Sequence, residues 1–95
     1  RAAEVAEKVR EELAEVEAAR TPEEVEAEIG DLLFAIANWA RHLGVEPETA
    51  LRKANARFAA RFRALEAMAR ERGLDLSGMT LAEMDRLWEE VKERE

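Results

Sequence analysis

Five carboxylates in this sequence stand in a pattern that suits cation chemistry. Glu11, Glu12 and Glu15 come first; Glu28 and Asp31 follow after a gap of twelve residues and repeat the spacing of Glu12 and Glu15. On a helix, residues at i and i+3 lie on one side. Asp31 is the sharpest signal, because the stretch from Ile29 to Ala40 is almost wholly apolar. A carboxylate buried in such a stretch costs several kcal/mol unless it is paired or binds a metal. Gly30 beside it costs roughly 1 kcal/mol against Ala in a helix interior, so close backbone approach is expected there. Oxygen-only ligands suit hard cations, Mg²⁺ or Mn²⁺, which keep water and bridge to phosphate oxygens. A di-iron bundle needs a Glu-x-x-His motif. Neither acid pair has one, and His42 is the chain's histidine, placed at a helix C-terminus. The plain alternative for any single glutamate is solvated helix surface, in a chain with 22 acidic residues.

These acids need helices to position them. The chain has 95 residues, 47% hydrophobic and 39% charged, without cysteine or tyrosine. That composition belongs to amphipathic helices. An all-α class is therefore expected: one domain, an antiparallel bundle of four helices, associating as a dimer because so small a chain buries a modest fraction of its surface. Helix one runs from about Ala2 to Ala19, with Val5, Val9, Leu13 and Val16 as its stripe. Glu12 sits at the edge of that stripe, with Lys8 and Glu15 a little further round. Thr21, Pro22 and Glu24 form an N-cap, a first helical proline and a capping box. They open helix two, from Pro22 to about Leu43, stopped by Gly44. Its apolar run is too short to span a bilayer and reads as a buried central helix. Phe34 points away from its main stripe, so this helix is apolar on more than one side. Helix three runs from Pro47 to Gly73 with the stripe Leu51, Ala54, Phe58, Phe62, Leu65 and Ala69, and Asn55 lies within that stripe. Thr80 and Glu83 cap helix four, which carries Leu81, Met84, Leu87, Trp88 and Val91. Met79 and Met84 are spaced as a hydrophobic staple.

The short turn makes the first two helices antiparallel neighbours. Glu12 lies about nine residues before it and Asp31 about nine after, so at ~1.5 Å per residue they reach one height. Glu15 and Glu28 match nearer the turn. Four carboxylates can thus converge between two helices. Arg57 and Arg61, with Lys53 and Asn55 nearby, could bind a polyphosphate; salt bridges to the many glutamates are the plainer role. Trp88 with Lys92 one turn on would suit a nucleobase and its phosphate, with core packing as the alternative.

The acidic pattern resembles that of the MazG-type nucleoside triphosphate pyrophosphohydrolases. The run from Glu28 to Ala35, then Asn38 to Gly44, and the run Ala50 to Phe58 with Arg61 and Phe62, look like the C-terminal domain of that family. The resemblance continues to Trp88 and Lys92. It implies an all-α homodimer that hydrolyses a nucleoside triphosphate between the α and β phosphates, giving NMP and pyrophosphate, with Mg²⁺. Glu12, Glu15, Glu28 and Asp31 would hold the metal and carry catalysis. Lys8, Glu11, Arg57, Arg61, Trp88 and Lys92 would serve the substrate. The chain departs from the family pattern at Glu24 and Ala27, and lacks a helix usually found upstream; a C-terminal domain of a longer protein is the reading. Two alternatives remain: a noncatalytic helical interaction module, or a dUTP or phosphoribosyl-ATP pyrophosphohydrolase of the same superfamily.

The net charge of −7 argues against nonspecific nucleic-acid binding, which needs a basic surface. No membrane segment or signal peptide is visible, and the lack of cysteine fits a reducing cytoplasm.

Overall fold

The computed structural model describes all residues, Arg1–Glu95, as four α-helices without a strand. These are α1 (Ala2–Ala18), α2 (Pro22–His42), α3 (Pro47–Glu71) and α4 (Leu81–Glu93), with one 3-10 turn at Leu76–Gly78. The bounds of the first three helices fall within two residues of the sequence expectation, and α4 starts directly after its expected cap, Thr80. No helix is long and apolar enough to cross a membrane. The chain divides into two compact units, Arg1–Ala50 and Leu51–Glu95, and α3 runs through the division.

In the first unit α1 and α2 pack as an antiparallel pair. Their connector is shaped by side-chain hydrogen bonds. The Thr21 hydroxyl accepts from the Glu24 N–H at 3.1 Å, and the Glu24 carboxylate accepts from the Arg20 N–H at 3.0 Å. The reciprocal bond of a capping box therefore falls one residue earlier than expected, on the amide of Arg20, which precedes the N-cap. At the far end Gly44 adopts φ +78, where a Cβ would be strained. The Val45 N–H reaches the Ala40 carbonyl at 2.8 Å and the Gly44 N–H reaches the Arg41 carbonyl at 3.0 Å. This pair of bonds satisfies two of the last carbonyls and ends the helix.

The expectation that α2 is a buried central helix is not met in this chain. Of its residues only Ala35 is buried. Ile29, Leu33, Phe34 and Ile36 are exposed. The reason is geometric. A helix that is apolar on more than one side covers only one side against a single neighbour, and α1 is that neighbour. The expected close approach at Gly30 is likewise absent, since a Cβ built there meets nothing within 4 Å. Gly30→Ala is accordingly expected to stabilise the isolated chain by about 0.5–1 kcal/mol through helix propensity. Thermal unfolding followed by circular dichroism checks this. A lower Tm would mean that another backbone packs on Gly30 after all.

The second unit has a true core. Leu65, Met68 and Ala69 of α3 meet Leu87 and Val91 of α4, flanked by Leu76, Met79, Met84 and Trp88. Thr80 and Glu83 exchange both bonds of a capping box, at 2.8 and 3.1 Å, and both staple methionines pack on the core. Arg72, just past α3, pairs with Glu90 of α4 at 2.6 Å. The α3 stripe is covered only in its C-terminal part. Leu51 and Phe58 are exposed, which also explains why Asn55 is tolerated in it: that end of the stripe meets water.

Candidate metal centre

Three carboxylates from two helices converge in the first unit. Oxygens of Glu12 on α1 and of Glu28 and Asp31 on α2 lie within 4.8 Å of one another. Oxygens on opposite sides of one Mg²⁺, each at ~2.1 Å, stand about 4 Å apart. Small rotations about the side-chain torsions close that difference. The donor set is all oxygen and carries three negative charges, which fits a hard divalent cation.

The matched heights expected for the two acid pairs are seen. Glu12 and Asp31 border one cleft of about 250 Å³, and Glu15 and Glu28 border another nearer the connector. Glu15 stands outside the close group of three, beside Glu28. Asp31 is a correction: it is exposed, not buried. Most of the apolar residues near it in sequence point to other sides of α2, and Phe34 and Ala35, which share its cleft, leave it open to water. The inward-leaning acids are Glu12 and Glu28, both half-buried.

Electrostatics mark the group as short of positive charge. Partial burial, then the charges of Asp31, Glu15, Glu12 and Glu24, push the Glu28 carboxyl above its ordinary value. An acid raised on folding takes up a proton when the chain folds. Its favourable contribution is complete below the unfolded value and is lost as pH rises through the folded one. At neutral pH the charged Glu28 therefore opposes folding unless a cation is present. Glu28→Gln is expected to raise Tm in chelator at pH 7 by about 1–3 °C and to remove most of the stabilisation by Mg²⁺. Scanning calorimetry with and without Mg²⁺ tests both signs together.

Lys8 is the cation facing this group. Its ammonium lies 3.1 Å from Glu12 and 3.6 Å from Glu11, and the hydrogen bond to Glu12 holds its pKa above the ordinary lysine value. Glu11 itself is exposed. His42 stays at the exposed end of α2, apart from the acids.

Arg57, Arg61, Trp88 and Lys92 belong to the second unit. Arg61 Nε donates to the Glu95 carboxylate at 2.7 Å. That bond, then the charges of Arg61, Lys92 and Arg57, hold the Glu95 carboxyl below its usual range. Three of the expected phosphate-side cations thus act on one carboxylate. Trp88 is half-buried, packs on the core, and lies 5.2 Å from the Phe58 ring at a 42° tilt.

The cleft beside Glu12 and Asp31 also includes Phe34 and Asn38, two residues outside the expected site set. Their signal was present: 31, 34 and 38 follow the three-and-four steps of one helix side.

The sequence pattern of the phosphoribosyl-ATP pyrophosphohydrolase family matches residues 1–58, a stretch that holds all the acids of this group. The chain belongs to that family. Similarity to curated relatives extends further along the chain. A Thermotoga maritima protein described as nucleoside triphosphate pyrophosphohydrolase/pyrophosphatase MazG is 46% identical over 88 residues, which cover 93% of this chain and 34% of that protein. An Escherichia coli nucleoside triphosphate pyrophosphohydrolase is 45% identical over 96% of this chain and 36% of its own length. An uncharacterised Bacillus subtilis protein, YabN, is 48% identical over 75% of this chain. The chain spans about a third of the length of the first two relatives. It is homologous to nucleoside triphosphate pyrophosphohydrolases over most of its length, in agreement with the resemblance seen in its motifs.

Proposed function

We propose that this chain hydrolyses nucleoside triphosphates between the α and β phosphates, releasing a nucleoside monophosphate and pyrophosphate. The observation that carries the proposal is the meeting of Glu12, Glu28 and Asp31 across two helices, in a chain homologous to such enzymes. These three, with Glu15 beside Glu28, would hold Mg²⁺, or Mn²⁺ in its place. Bound there, the ion supplies charge neutralisation for the triphosphate and a water of lowered pKa.

The chain's own groups supply the rest. Glu12 belongs to the group and Glu15 stands beside it, and an oxygen of either that is not spent on the metal is a base for the attacking water. Lys8 offers an ammonium at the rim of the acid cleft, with Glu11 beside it. In the second unit Arg57, Arg61 and Lys92 form a set of charges suited to phosphate oxygens. The Trp88 ring, held by Phe58, offers an aromatic face to a base.

Pyrophosphate release from a panel of nucleoside triphosphates, with Mg²⁺ and with chelator, tests the reading. Metal-dependent release supports it. Absence of release together with absence of Mg²⁺ binding defeats it. Including dUTP and phosphoribosyl-ATP in the panel separates the neighbouring activities.

A second copy of the chain is the proposed cover for α2. Ile29, Leu33 and Ile36 recur at i, i+4 and i+7, and Leu33 is 61% exposed; Phe34, on another side, is 74% exposed. Rows of this kind on a stable chain mark association. Leu33→Glu is expected to shift the chain from dimer to monomer in light scattering coupled to gel filtration. A monomeric wild-type chain at tens of micromolar would refute this.

A further inference from the structure

We propose that Lys8 is the resident counter-ion of the acid group: its ammonium occupies Glu12 until a divalent cation displaces it, and is then free to take a phosphate oxygen. The proposal rests on the metal reading above and adds an order of events to it.

Glu12 has two partners in view. Its Oε1 lies 3.1 Å from Lys8 Nζ, and its carboxylate also belongs to the close group with Glu28 and Asp31. A divalent cation held by that group would sit within one carboxylate's reach of the ammonium. Like charges at such a distance repel strongly in a partly desolvated site. One of the two must yield. The side-chain exposures decide which: Glu12 is 13% exposed and Lys8 is 59% exposed. Glu12 is anchored between the helices, whereas the lysine stem is in water and free to swing.

The neighbourhood also provides a place for the lysine to go. Glu11 lies 3.6 Å from Nζ on the exposed flank, so the ammonium need move only a short way to leave Glu12. It remains at the rim of the cleft that Glu12 and Asp31 border. A triphosphate brought there on the metal would meet a cation already released from its carboxylate. Lys8 thus weakens metal binding in the empty site and strengthens nucleotide binding in the loaded one.

Calorimetric titration of the full chain with Mn²⁺, without nucleotide, tests the first half. Lys8→Met is expected to bind Mn²⁺ roughly fivefold or more tightly than wild type. Lys8→Arg keeps the charge and stays near the wild-type value. Arg10→Met removes a cation that pairs with Glu7 instead and should change the affinity by less than about twofold. The second half uses an α,β-methylene nucleoside triphosphate in saturating Mg²⁺. There Lys8→Met is expected to lose about fivefold or more in affinity for the analogue. Tighter Mn²⁺ with weaker analogue binding supports the proposal. Unchanged or weaker Mn²⁺ binding by Lys8→Met, with a normal wild-type titration, overturns it and leaves the metal reading standing. Tighter binding of both ligands also overturns it. Failure of wild type and Lys8→Met alike to bind Mn²⁺ removes the metal reading itself, and the proposal with it.

Discussion

Asp31→Asn is expected to reduce Mg²⁺-dependent pyrophosphate release by on the order of 10³-fold, with little change in helicity or Tm in chelator. Asp31 shares the close group of carboxylate oxygens with Glu12 and Glu28, so the amide removes one of three charges from a site with few ligands to spare. It is also exposed and on α2, so nothing in the packing depends on its charge. The control is the thermal shift. At an Mg²⁺ concentration a hundred times its Kd, bound metal is worth about 2.7 kcal/mol to a folded chain. For a chain this size, that corresponds to ~10 °C or more. The wild type should show a shift of that order and Asp31→Asn only a small part of it. Full activity in Asp31→Asn would remove this residue from the proposed site. Loss of activity together with loss of helicity would assign it a structural role instead.

Leu65→Ala is expected to be the most destabilising single change, at about 2–5 kcal/mol. Leu65 is 1% exposed, the largest of the fully buried side chains. The core around it is small: Met68, Ala69, Leu87 and Val91 are the other buried members. A cavity there has few neighbours able to collapse into it, which places the cost toward the upper part of that range. Domains of ordinary stability have only ~5–15 kcal/mol to lose, so the substitution threatens the whole second unit. Trp88 packs against this core while Trp39 lies on α2. In a Trp39→Phe background, urea unfolding followed by Trp88 emission therefore reports on the second unit directly. A shift below 1 kcal/mol would mean that the core repacks freely.

What could be read in the chain follows the range of the forces involved. Thr21, Pro22, Gly44, Gly73 and the Thr80–Glu83 pair act within four or five residues. A hydroxyl either reaches an amide three positions on or it does not, and φ above zero suits glycine wherever it occurs. Helix number, ends and order were therefore legible, as was the height match of Glu12 with Asp31, which needs only a short turn and a fixed rise per residue. The metal-site candidates were legible for the same reason. The family resemblance was legible because several short runs kept both residue type and spacing.

Burial was decided by the tertiary structure. Periodicity shows that α2 has apolar sides but says nothing about what lies across from each. Asp31 sits in an apolar stretch yet faces water, while Glu12, from a far more polar stretch, is the anchored acid. Gly30 meets no neighbour, and the α3 stripe is covered at Leu65 and Ala69 but exposed at Leu51 and Phe58. Each outcome depends on surfaces brought together from distant parts of the chain, and burial energy is a property of both surfaces. The same holds for Lys8. Its spacing from Glu12 predicts an ion pair on one helix; only the approach of Glu28 and Asp31 from α2 turns that pair into a contest for one carboxylate.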